Sequence, residues 1–192
     1  MTNRATRIER ARYRTIVADP PWRIREFSPG GGGGAGNGWG GGQSRALPYQ
    51  TMALAEILAL RPPAAKDSHL YLWTINCALE AAYDVARAWG FKPSTLLTWA
   101  KTPTGLGLGG TFALSTEFIL FARRGTLAAK RRVDRNWFEW PRGAHSAKPE
   151  AFLDIVEQVS PGPYLELFAR RQRLGWDTWG DEAFDHLEAV GL

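Results

Sequence analysis

The chain has 192 residues, enough for one domain with a sizeable core, and its 24 Lys+Arg against 19 Asp+Glu leave a net charge of +5. No apolar run is long enough to span a membrane, the polar, basic start from Met1 to Arg14 is unlike a signal peptide, and the single cysteine, Cys77, excludes an internal disulfide and argues against a zinc site. A cytoplasmic setting follows, with nucleic acid a compatible but not obligatory partner.

The first predicted element is a buried strand, Tyr13 to Ala18, which ends abruptly at Asp19-Pro20-Pro21-Trp22. Proline cannot continue a ladder, so the chain leaves the sheet there as a stiff loop. In open α/β sheets ligands bind at the carboxyl ends of strands. An acid, a rigid backbone carbonyl and a flat aromatic thus meet at a ligand edge. Together they suit a flat base with an exocyclic amine: two acceptors for its hydrogens and an indole to stack on the ring. The plain alternative is a strand that merely ends in a proline turn.

Gly30 to Gly42, almost all glycine, cannot form a regular element and lacks the Gly-Lys-Ser/Thr ending of a phosphate loop. It reads as a slack linker or as a mobile lid beside Asp19. Leu54, Ile57 and Leu58 mark a helix stopped by Arg61-Pro62-Pro63. His69 to Thr74 is the second predicted strand, and Leu79, Ala82, Tyr83 and Ala86 a helix ending at Gly90. Ser94 to Ala100 and Thr116 to Ala122 are further strands, separated by the glycine-rich loop Thr102 to Gly110. Arg131 to Trp140 carries no clear period. Pro149 opens a helix with Phe152, Ile155, Val156 and Val159 on one face, and Tyr164 to Phe168 and Trp176 to Trp179 complete the strands. Strands alternating with helices predict an α/β fold with a doubly wound, mostly parallel sheet, a single domain over 1–192. Within it, 1–12 is a basic N-terminal segment, 28–48 a Gly-rich active-site loop and 183–192 a tail. Basic residues cluster at Arg4 to Arg14, at Arg123 to Arg135 and at Arg170 to Arg173; each cluster suits a phosphate backbone or is plain solubilising charge.

Seven short motifs then fall into one order. After Asp19-Pro20-Pro21-Trp22 come Tyr49-Gln50-Thr51-Met52, Leu70-Tyr71-Leu72-Trp73, Trp99-Ala100-Lys101-Thr102, Ser115-Thr116-Glu117-Phe118, His145-Ser146-Ala147-Lys148-Pro149 and Glu166-Leu167-Phe168-Ala169-Arg170. This order resembles the S-adenosylmethionine-dependent N6-adenine methyltransferases, the family of the messenger-RNA adenosine methyltransferases, in its bacterial and phage form, over roughly Tyr13 to Glu182. The resemblance implies a class I, Rossmann-like methyltransferase fold with permuted motif order: catalytic motif first, cofactor strand near the C-terminus.

It also implies roles. Asp19, Pro20, Pro21 and Trp22 would be catalytic, with Asp19 and the Pro20 carbonyl holding the adenine amine and Trp22 stacking on the base. Asp19, Lys148, Phe168, Arg170, Gln172, Asp181 and Glu182 would bind S-adenosylmethionine. Trp22, Tyr49, Glu117, His145 and Ser146 would face the substrate, and no metal is called for. Lys148 sits at a helix start, where a cation is locally disfavoured, which argues for a function there. Two positions depart from the family: Asp181 replaces the usual Asn, and Arg171-Gln172-Arg173 stands where the messenger-RNA enzymes carry His-Asn. The implied activity is site-specific adenine-N6 methylation of DNA. Methylation of RNA, amino-methylation of cytosine and a catalytically silent nucleic-acid-binding subunit are the other readings. Related enzymes often pair through the loop after the third strand, here 103–113, so a homodimer or heterodimer is expected.

Overall fold

The computed structural model describes residues 12–27, 50–104, 112–143 and 147–180. Among them seven strands form one sheet in the order β5-β3-β4-β2-β1-β6-β7. They are β1 (Tyr13–Ala18), β2 (Ala64–Thr74), β3 (Lys92–Thr102), β4 (Thr116–Arg124), β5 (Trp137–Pro141), β6 (Tyr164–Leu167) and β7 (Trp176–Trp179). Three α-helices join them, α1 (Leu54–Ala59), α2 (Leu79–Ala88) and α3 (Glu150–Val159), with short 3-10 turns at Ile24–Glu26 and Asn76–Ala78. Only β4 runs against its neighbours; every other pairing is parallel. The mixed, mostly parallel sheet agrees with the α/β expectation.

Period-two alternation splits the core cleanly, because successive strand residues point to opposite faces. Ile16, Ala18, Leu70, Leu72, Leu120, Ala122, Leu165 and Leu167 lie on one face, under α1 and α2. Val17, Tyr71, Trp73, Trp99, Ile119, Phe121 and Trp176 lie on the other, under Phe152, Leu153 and Val156 of α3. Both faces are therefore covered, which is why the central strands read as continuous apolar runs.

Three expectations change in detail. β2 begins five residues before the predicted His69, and β3 runs two residues beyond Ala100 at one end and two before Ser94 at the other. The segment without a clear period contains β5, whose residues are at most half-buried because it is an edge strand. An edge strand with one poorly covered face carries little alternation for periodicity to detect.

Chain direction fixes where a ligand can sit. From β1 the chain crosses to β2 on one side, whereas from β6 it continues to β7 on the other. The β1/β6 boundary is thus the sheet's switch point, and the crevice lies outside the carboxyl ends of these two strands.

Candidate active site at the switch point

Asp19 follows β1 at that crevice, and its backbone N–H donates to the Leu167 carbonyl at 3.4 Å. The same alternation that buries Val17 and Trp73 under α3 carries Asp19, Glu166, Glu117 and Lys101 onto the α3 face, at or near the site edge. β4 runs in reverse, so its start, Glu117, reaches the edge where β1 and β3 end. α3 begins just above, and the residue before its Pro149 cap is Lys148.

These side chains form a line of alternating charge. The Lys148 Nζ donates to Asp19 Oδ2 at 2.7 Å and lies 3.4 Å from Glu117 Oε2. Glu117 Oε1 in turn accepts from Lys101 Nζ in a very short contact. The Lys148 ammonium lies 5.3 Å from the centroid of the Trp73 ring, and that of Lys101 5.0 Å from the Trp99 ring. The four side chains are only 14–22% exposed. Burial works against the Lys148 charge, but Asp19 and Glu117 outweigh it and hold its pKa above the ordinary lysine value. Lys148 is thus an ammonium at neutral pH. It fixes one oxygen of Asp19, Oδ2.

The loop after β1 is clamped. The Pro20 carbonyl accepts the Trp22 N–H at 2.8 Å, a tight turn around Pro21, and keeps a second lone pair. The Pro21 carbonyl accepts from Met52 N–H at 2.9 Å. Trp22 corrects an expectation: the residue is only 6% exposed, and its ring packs edge-on to Phe27 and donates through Nε1 to the Trp73 carbonyl at 3.0 Å. In this structure it anchors the loop and has no open face for a base.

Across the crevice, Phe168 follows β6 with φ of 62°, a left-handed conformation that costs a non-glycine residue about 1–2 kcal/mol. The Trp179 carbonyl holds it there by accepting from the N–H groups of Phe168 at 2.5 Å and Ala169 at 3.2 Å. The next residue is Gly180, and a Cβ there would meet the Ala169 backbone N at 2.7 Å. Arg170 and Gln172 lie on this same loop. Arg171 and Arg173 face α3 instead: Arg171 pairs with Glu150 at 2.9 Å and donates to the Lys148 carbonyl at 3.1 Å, and Arg173 binds Asp154 and Glu157. Arg173 pulls the Glu157 carboxyl below its usual value.

Two residues were missed as site candidates. Glu166 projects from β6 onto the α3 face with Oε2 buried and unbonded. Burial, reinforced by Asp19 and opposed by Arg171 and Arg173, pushes its pKa up to about 7. An acid inside an otherwise apolar strand was the available signal. Lys101 was visible only as a strand end; its diagonal pairing to Glu117 across β3–β4 needed the register, in which Trp99 opposes Glu117. The candidates Tyr49, His145, Ser146, Asp181 and Glu182, and the Gly-rich 28–48 loop, lie outside the described residues.

Comparison with known proteins decides the identity. The MT-A70 family profile matches residues 13–182. The chain belongs to the MT-A70 family. It is an S-adenosylmethionine-dependent adenine-N6 methyltransferase by that membership. It is 31% identical to the type II methyltransferase M.MunI of Mycoplasma sp, over 93% of this chain and 81% of that protein. It is 29% identical to a putative N(6)-adenosine-methyltransferase MT-A70-like protein of Medicago truncatula, over 89% of this chain. It is 25% identical to the human N(6)-adenosine-methyltransferase catalytic subunit METTL3. The chain spans only about a quarter of these two longer proteins (26% and 28%).

The crevice suits the family's methyl donor on its own chemistry. S-adenosylmethionine carries a sulfonium, an ammonium and a carboxylate. Asp19, and Glu166 when ionised, would face the first two, and Lys148 and Arg170 would be the cations for the third. No helix among the described residues is long and apolar enough to cross a membrane.

Proposed function

We propose that this MT-A70 methyltransferase acts on adenine in DNA, at the crevice between β1 and β6, with Asp19 as the catalytic carboxylate. The observation that carries the reading is the Lys148–Asp19 ion pair at 2.7 Å, at the sheet's switch point. When bound, S-adenosylmethionine supplies an electrophilic methyl on a sulfonium. Everything else falls to the protein. Asp19 Oδ1 and the free lone pair of the Pro20 carbonyl accept the two amine hydrogens of adenine. Those hydrogen bonds draw the nitrogen lone pair out of conjugation and toward the methyl. Lys148 holds Asp19 in a single orientation, and Glu117 with Lys101 holds Lys148. The chemistry is positioning and electrostatics, without a covalent enzyme intermediate.

Lys148, Phe168, Arg170 and Gln172, with Asp181 and Glu182 following β7, make up the donor side; Glu117, Tyr49, His145 and Ser146 make up the base side. The family's catalytic-first, permuted motif order follows from this assignment, since Asp19 ends the first strand and the donor loop follows the sixth. DNA is favoured by the likeness to the type II methyltransferase M.MunI, at 31% identity against 29% and 25% for the adenosine methyltransferases. A silent subunit is disfavoured by the intact Asp19-Pro20-Pro21-Trp22. Pairing of two chains through 103–113 is supported by the exposure of Phe112 (81%) and Leu114 (48%) beside that loop.

The test is transfer of labelled methyl from S-adenosylmethionine to adenine-containing DNA and RNA oligonucleotides, with nucleoside analysis of the product. The expected result is N6-methyladenine in DNA and none with Asp19→Ala. Product in RNA alone would overturn the DNA assignment, and methylcytosine would overturn the base.

A further inference from the structure

The three basic clusters differ in what they face. Arg171 and Arg173 are consumed by the acids of α3. The first cluster, at the N-terminus, lies mostly outside the described residues. The second is different: Arg131 and Arg132 are exposed and make no ion pair or hydrogen bond within the described residues, and Arg123 touches only the face of Phe121, at 5.3 Å. These three guanidiniums rim a groove of about 650 Å³ on the α3 face, floored by Leu97, Phe121 and Phe138. Its one acid, Asp134, is already matched by Arg135 at 3.6 Å.

The rim is built rather than slack. The segment between β4 and β5 is tied at its start by Asp67, which accepts from Thr126 N–H at 2.7 Å, and by His69, whose Nε2 lies 3.1 Å from the Leu127 carbonyl. It is tied to the end of α3 by Lys130, whose N–H donates to Val159 and whose Nζ donates to the Glu157 carbonyl. It is tied to β3 by Asn136, which donates to the Leu96 carbonyl at 3.1 Å. Among the described residues, two adjacent exposed arginines thus have no counter-ion beside an apolar floor. Like charges side by side attract an anion, modestly where they are exposed to water.

Charge gives the ligand's class, an extended polyanion, and distance its spacing from the catalytic edge. From Glu117 at the catalytic edge to Arg123 at the groove is six strand residues, about 20 Å at roughly 3.4 Å each. The same span covers about six base-pair steps of DNA. We propose that this groove is a second nucleic-acid contact, binding the phosphodiester backbone about six base pairs from the target adenine. The proposal rests on the nucleic-acid reading above but concerns a surface that takes no part in methyl transfer. Backbone contacts of this kind fix register without reading sequence.

The experiment measures fluorescence anisotropy of labelled duplex DNA, with no methyl transfer required, for the native chain and for the Arg131→Glu/Arg132→Glu variant. Both positions are exposed and make no ion pair or hydrogen bond among the described residues, so the fold should be retained, which an unchanged thermal melt checks. With a 20-base-pair duplex carrying a central adenine, affinity should fall about tenfold and the log K against log salt slope should shrink by about two. With a 6-base-pair hairpin duplex, which can occupy the catalytic edge or the groove but not both, the loss should be much smaller. On the long duplex KM should rise with kcat unchanged. Equal affinity and equal slopes on the long duplex would overturn the site, and so would an equal loss on both lengths. If neither protein methylates DNA yet the length-dependent loss appears, the groove stands and the catalytic reading falls.

Discussion

Asp19 is held by a line of charges that the sequence displays only in pieces. Asp19 and Lys148 could be picked out from their places, one after a β-branched strand before two prolines and one at a helix start where a cation is disfavoured. Their contact at 2.7 Å joins positions 129 residues apart and depends on the sheet order. Lys101, at the far end of the line, touches Glu117 and would act through it and Lys148 as a positioning residue. Lys101→Met leaves Glu117 with Lys148 as its one described ionic partner and draws the ammonium away from Asp19. A fall in kcat of about tenfold is expected, with KM for DNA little changed and most of the rate restored in Lys101→Arg. Steady-state kinetics of the two variants checks this, and a rate in Lys101→Met equal to the native one would sever the line. Glu166 gives a pH prediction. Its pKa of about 7 lies above the ordinary carboxylate value of 4.5, so the folded state binds its proton more tightly than the unfolded state. The stability it contributes is complete below about pH 4.5 and is lost as the pH rises through 7. Glu166→Gln should therefore stabilise the donor-free protein at pH 8, by on the order of 2 kcal/mol, and have little effect at pH 5. Thermal melts at the two pH values read the difference directly.

Strands and helices were legible wherever a buried face repeats. α2 and α3 showed their apolar stripes, and β1, β2 and β4 their continuous apolar runs. β5 was not legible, because Trp137 and Glu139 are exposed at the sheet edge and nothing packs across them to impose alternation. Nor was the left-handed Phe168, since nothing in an aromatic residue announces φ of 62°; the constraint comes from the Trp179 carbonyl, eleven residues away. That crossing makes Gly180 a sensitive position. A Cβ there would press on backbone at 2.7–2.9 Å, with no flexible side chain to yield. Gly180→Ala should cost about 1–3 kcal/mol and weaken S-adenosylmethionine binding, because the loop carrying Phe168 and Arg170 must shift. Calorimetric titration together with thermal melts checks both effects; unchanged donor affinity would detach this crossing from the donor site.

At the scale of the whole molecule, the fold class followed from the alternation of elements, and the family from the order of its motifs. The reversed β4 was not foreseen, and it matters: the reversal brings Glu117 to the edge where Asp19, Lys101 and Lys148 meet, while carrying Arg123 to the opposite end. One sheet thereby separates a compact, charge-balanced candidate site from a basic groove on the same face. A net charge of +5 did not distinguish these two surfaces; ion pairing did. The central claim is that adenine's amine meets the methyl donor between β1 and β6, and a crystal structure with S-adenosylmethionine and an adenine oligonucleotide tests it most directly. The account predicts the sulfonium methyl opposite Asp19 and the Pro20 carbonyl, with the donor's remaining atoms along the Phe168–Gln172 loop. A donor seated instead in the other large recess, beside Arg61, Trp89 and Arg124, with its methyl turned from Asp19, would contradict it.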